Sequence, residues 1–133
     1  MANEINFTLT PIGVVESTLS NVKEAPCQGF QGAPKAWISI NKNVIDGMKD
    51  IKVGDEIIVI TWLHLGDRST LKVHPQDNPK NPLTSVFATR SADRPNPIGL
   101  HPVTVVEIND NKIKVMPMEA IDGTPVVDIK PVI

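Results

Sequence analysis

The sequence predicts an all-β fold, a single-sheet β-barrel with one short helix and a long polar loop, and three observations lead to it. Twelve prolines and eight glycines fall between short β-branched runs, the pattern of many brief strands joined by tight connections. No strand–helix alternation recurs at spacings of about thirty residues, which excludes a doubly wound parallel sheet. Closing so many short strands into a barrel would also remove their exposed edges.

The expected strands run from Phe7 to Val15, Ala36 to Ile40, Asp55 to Thr61, Thr70 to Val73, Ser85 to Thr89, Leu100 to Ile108, Lys112 to Met116 and Val126 to Ile129. Asn109-Asp110-Asn111 separates two strand-like runs and reads as a hairpin turn. Only Asn43 to Ile51 looks helical, with Val44, Ile45, Met48 and Ile51 sharing one face. Gly66 to Asn81 is polar and irregular, and a loop of that length in a small domain usually binds something.

Composition sets further bounds. The 133 residues fit one domain, 1–133, and 41% hydrophobic with 21% charged residues describes a folded chain rather than a disordered one. Two Trp, three Phe and no Tyr leave the core to Val, Ile and Leu and argue against a base-stacking platform for single strands. A formal charge of −2 and a pI near 5.9 give no support to binding by bulk phosphate neutralisation. Any RNA surface must come from local cations such as Arg68, Lys72, Lys80, Arg90 and Arg94. The lone Cys27 excludes an internal disulfide and fits a reducing cytoplasm. Met1-Ala2-Asn3-Glu4 does not open a signal peptide, and no apolar run is long enough to span a membrane. Cys27, His64, His74 and His101 have no zinc-type spacing, so no metal site is expected.

The run Ala88 to Gly99 concentrates unusual chemistry. Pro95 and Pro97 cannot lie in a helix interior or a central strand. Asn96 and Gly99 would tolerate positive φ. A stiff loop is expected, presenting Arg90 and Arg94 as planar forks suited to carboxylate or phosphate. The bland alternative is that either arginine pairs with Asp93, Asp122 or Asp128 to hold the loop.

Val86-Phe87-Ala88-Thr89-Arg90-Ser91 through Arg94-Pro95-Asn96-Pro97-Ile98-Gly99-Leu100 resembles the signature of the TsaA-like (TrmO) family, which includes YaeB and VirR. So does Asp122-Gly123-Thr124-Pro125-Val126-Val127-Asp128-Ile129-Lys130-Pro131. Pro11 to Ser17 is similar to that family's opening strand, and Trp62-Leu63-His64 to its central strand end. The resemblance implies a β-barrel that pairs as a homodimer, binds S-adenosyl-L-methionine and acts as a tRNA (adenine-N6)-methyltransferase. The implied target is the exocyclic amine of threonylcarbamoyl-adenosine beside the anticodon of threonine tRNA. Consistent with that, the chain lacks the Gly-x-Gly-x-x-Gly turn of a Rossmann methyltransferase.

By position, the resemblance implies cofactor contacts from Pro26, Gln28 and Gly29, from His64 and Leu65, from Arg90 and Leu100, and from Asp122, Gly123 and Thr124. In isolation Asp122-Gly123 is a plain β-turn, and His64 a structural strand-end residue. The amine's proton needs an acceptor, for which Asp122, Asp128, Asp93 or a backbone carbonyl are candidates. Arg94 and Lys130 could hold the threonyl carboxylate or a phosphate. Bacterial members carry a C-terminal domain beyond the second motif, whereas this sequence stops at Lys130-Pro131-Val132-Ile133. Two rivals remain: a non-catalytic S-adenosylmethionine sensor on the same barrel, and a partner-binding barrel whose arginines engage a protein carboxylate.

Overall fold

The computed structural model describes residues 5–19 and 34–133. Six strands form one antiparallel sheet: Gly13–Glu16 (β1), Ala36–Ile40 (β2), Glu56–Trp62 (β3), Ile98–Asn109 (β6), Lys112–Met116 (β7) and Pro125–Pro131 (β8). Lys72–Val73 (β4) and Thr84–Ser85 (β5) pair separately as a short ribbon, so the single sheet expected from the sequence has a small companion. The order in the larger sheet is β1-β2-β7-β6-β3-β8. Its two ends also pair, Gly13 with Val126 and Val14 with Pro125, so the order is circular.

Alternation fixes the inner face. Ala36, Ile38 and Ile40, Ile57 and Val59, Val103 and Val105, Ile113 and Val115, with Val15 and Val126, are all buried in one core. Every second residue of a strand points the same way, so Thr61 continues the inward row of Ile57 and Val59. Gly99 and His101 likewise precede Val103 and Val105. Thr61 and His101 are therefore buried polar side chains at one end of an apolar interior, at 0% and 2% exposure.

Several expected elements differ. The helix at Asn43 to Ile51 is a 3₁₀ segment, Lys42–Met48, with Val44 donating to the Asn41 carbonyl three residues back at 3.1 Å. Ile45, Met48 and Ile51 are spaced by three, which a 3₁₀ turn stacks on one edge; Met48 is buried and the two isoleucines pack against the core. The strand from Phe7 to Val15 shrinks to β1, leaving Phe7 and Leu9 exposed, as is Ile5 before them. Ser85 to Thr89 is β5 followed by a 3₁₀ turn, Val86–Ala88, and Thr70 to Val73 contracts to β4. The β6–β7 hairpin forms as expected, with Asp110 at φ 53°. Among the described residues no helix is long and apolar enough to cross a membrane.

Candidate functional site

β3 and β6 meet at the end where Trp62 pairs with Ile98. From there two loops emerge, residues 63–71 and 86–97, and they are tied to each other. The Leu63 amide donates to the Pro97 carbonyl at 2.7 Å, and the Asp67 amide to Asp93 Oδ1 at 2.8 Å. Arg68 donates through Nε to the Pro95 carbonyl at 2.8 Å and through Nη2 to Asn96 Oδ1 at 3.3 Å. Its guanidinium lies 5.2 Å from the centre of the Trp62 ring, within cation–π range. Asp67 accepts from the Ser69 hydroxyl at 2.7 Å and the Ser69 amide at 2.8 Å. That hydroxyl, then the amide, holds the Asp67 carboxyl below its ordinary value.

Arg94 secures the signature loop from within. Nη1 donates to the carbonyls of Thr89 and Ser91, each at 3.0 Å, and Nη2 to that of Val86. The expectation that both arginines present themselves to a ligand is corrected for Arg94, whose fork is occupied by main-chain oxygens. The alternative pairing of Arg94 with Asp93, Asp122 or Asp128 is not what holds the loop either. Asn96 and Gly99 are not at positive φ. Asn96 serves as an acceptor for Arg68. Gly99 serves by having no side chain: a Cβ there would stand 2.5 Å from Thr61 Oγ1 and 2.7 Å from His101 Nε2. Arg90 is exposed and, among the described residues, forms no ion pair.

The two loops wall a cavity of about 640 Å³ whose lining includes Leu65, Arg90, Leu100, His101, Glu119 and Thr124. His101 and Glu119 of that lining belong to a polar chain, continued by the buried Thr61, that the sequence does not announce. Thr61 Oγ1 lies 2.7 Å from His101 Nε2, and His101 Nδ1 lies 2.6 Å from Glu119 Oε1. A buried ring nitrogen without a partner costs free energy, so both being engaged explains why a histidine is tolerated inside the sheet. The available signal was parity: Thr61 and His101 interrupt otherwise apolar inward rows.

The other sequence candidates divide. His64, like Leu65, Arg90, Leu100 and Thr124, lines the cavity. Asp122 and Gly123 form the adjoining turn but face β1: Asp122 Oδ1 accepts the Ser17 amide at 3.0 Å, and Gly123, at φ 85°, donates to the Val15 carbonyl at 2.8 Å. Thr124 Oγ1 donates to the Ile121 carbonyl at 2.7 Å. Asp128 is engaged locally by the Ile129 amide at 2.9 Å and Lys130 at 3.3 Å. It lines a different cavity, of about 850 Å³, beside Met48 and Ile57. Lys130 and Asp128 pair with Ile58 and Ile60 of β3 and do not join the loop cavity. Pro26, Gln28 and Gly29 lie outside the described residues.

Residues 14–133 match the family described as the tRNA-methyltransferase O N-terminal domain. The chain belongs to that family. A "Probable S-adenosyl-L-methionine-binding protein" of Methanocaldococcus jannaschii is 40% identical over 128 residues, covering 93% of this chain and 90% of its own length. A similarly named protein of Archaeoglobus fulgidus is 42% identical over 123 residues, 92% of this chain. This chain spans only 33% of that longer relative. The crystal structure of TrmO from Pseudomonas aeruginosa superposes with a TM-score of 0.77 at 21% identity, over 98% of this chain and 58% of that one. That likeness shows a shared fold with the family.

Proposed function

We propose that this chain binds S-adenosyl-L-methionine in the loop cavity and transfers its methyl group to tRNA, at the exocyclic amine of threonylcarbamoyl-adenosine beside the anticodon. The observation that carries the reading is the cavity itself: the family's signature loop builds its wall, and its volume of about 640 Å³ falls in the range of small-molecule sites. The residues present fit the cofactor. Arg90 offers a free planar fork for the methionyl carboxylate, while Leu65, Ile98 and Leu100 supply apolar surface for the adenosyl and methylene parts. When bound, the cofactor supplies an electrophilic methyl on sulfur. The protein's own tasks are then orientation and exclusion of water, and a loop pinned by Arg94, Arg68 and Asp93 is suited to both.

Threonine tRNA is the substrate favoured by the family resemblance, which also favours a cytoplasmic location beside that tRNA. A homodimer is favoured by Leu65, Leu71, Leu83 and Phe87, each more than half exposed around this end of the sheet, an apolar surface that a second copy would cover. Relatives are named for binding the cofactor rather than for a transfer, and this favours the non-catalytic sensor as the second reading. Incubating the protein with methyl-labelled S-adenosylmethionine and tRNA, with and without the threonylcarbamoyl group, separates the two. Label confined to the modified tRNA supports the enzyme. Tight cofactor binding with no labelled RNA supports the sensor.

A further inference from the structure

We infer that Glu119 is the proton acceptor of the transfer, aimed by His101 and Thr61 acting as positioning residues. The inference rests on the methyl-transfer reading above. Three observations assign the role. Glu119 lines the cavity, whereas Asp122 is spent on the Ser17 amide and Asp128 lies in the other cavity. Asp77 and Asp93 line the loop cavity too, but Asp77 is exposed and Asp93 Oδ1 accepts from the Asp67 amide in an exposed hydrogen bond, so neither is held by a buried partner. Glu119 is also the carboxylate there that is fixed by a buried partner, His101 Nδ1 at 2.6 Å, with a side chain 14% exposed against 2% for the histidine.

The chain of donors has one self-consistent direction when Glu119 is ionised and His101 neutral. A carboxylate only accepts, so His101 Nδ1 carries the proton and donates to Oε1. Nε2 is then an acceptor, and the Thr61 hydroxyl donates to it. The hydroxyl thereby fixes the tautomer, and the ring fixes the rotamer of the carboxylate. Among the described residues Oε2 accepts no hydrogen bond, which leaves it for an N–H donor in the cavity.

The exocyclic nitrogen of threonylcarbamoyl-adenosine bears one hydrogen, and its lone pair is delocalised into the ring and the carbamoyl group. An N–H bond to Glu119 Oε2 localises electron density on that nitrogen. As the N–C bond forms, the methyl's bond to sulfur breaks with its electron pair going to sulfur, and the sulfonium becomes a neutral thioether. The N–H proton passes to Oε2 and later to water at the cavity mouth. No oxidant, reductant or further reactant is needed.

The test compares wild type, Glu119→Gln, Glu119→Asp and Thr61→Val. Glutamine keeps an oxygen for His101 but cannot take a proton, so its transfer rate should fall about 100-fold or more, with S-adenosylmethionine affinity by calorimetry within about twofold of wild type. Aspartate should restore part of the rate. ¹⁵N NMR should place the His101 proton on Nδ1 in wild type, and Thr61→Val should mix the tautomers. An undiminished rate in Glu119→Gln, or a fall in its affinity as large as its fall in rate, overturns the inference alone. So does an Nε2–H tautomer in wild type, which can be read even if a variant fails to fold. A wild-type protein that binds the cofactor but methylates no RNA overturns the transfer reading and the inference with it.

Discussion

Gly99 is paired with Thr61 across β3 and β6, and its missing side chain is what lets the Thr61 hydroxyl reach His101. In Gly99→Ala the new Cβ would stand 2.5 Å from that hydroxyl and 2.7 Å from the ring nitrogen. Threonine would have to swing away, leaving Nε2 buried without a partner. A loss of about 1–3 kcal/mol in urea unfolding is expected, and His101 should lose its single tautomer in the ¹⁵N spectrum. A variant as stable as wild type would show that the sheet relaxes around the methyl.

Arg94 and Arg90 should separate cleanly. Three main-chain carbonyls accept from the Arg94 fork, a geometry that a lysine ammonium cannot reproduce. Arg94→Lys is expected to destabilise the protein by about 1–3 kcal/mol and to loosen the loop, seen as faster amide exchange at Ser91 and Asp93. Arg90→Ala touches none of these bonds and should leave stability within about 0.5 kcal/mol. Its effect should instead be a weaker affinity for S-adenosylmethionine, by roughly tenfold or more for a lost charged pair.

Acid should loosen the 63–71 loop itself, where the Asp67 carboxyl accepts from Ser69. The folded Asp67 carboxyl is held below its ordinary 3.8, so its contribution is fully present above that value and is lost as pH falls through the depressed one. A carboxyl ¹³C titration should show Asp67 ionised at pH values where an unfolded aspartate is half protonated. Replacing Ser69 with Ala should return it toward 3.8. An unchanged titration in that variant would show that Ser69 does not set the shift.

Much of the sheet was legible because it obeys a period of two. Ala36 to Ile40 and Lys112 to Met116 are read at their observed bounds, and β3 is displaced by only one residue. Ile5, Phe7 and Leu9 alternate as a strand would, yet are exposed: alternation marks a face and does not supply a neighbour. The 43–51 segment has its apolar residues at spacings common to α and 3₁₀ turns, and packing of Ile45, Met48 and Ile51 decides between them.

The site was legible in part. Prolines and arginines marked the loop, but a guanidinium that binds main-chain carbonyls looks no different in sequence from one awaiting an anion. Glu119 is 18 residues from His101 and lies beyond the β6–β7 hairpin. Its pairing depends on the path of the chain through residues 117–124, which no local pattern announces.

The central claim is that the cavity walled by the signature loop holds S-adenosylmethionine, and the most direct measurement is the unfolding free energy with and without it. At about one hundred times the dissociation constant, the ligand should stabilise wild type by about 2.7 kcal/mol, with a smaller gain for Arg90→Ala at the same concentration. No gain for wild type at millimolar ligand would contradict the account.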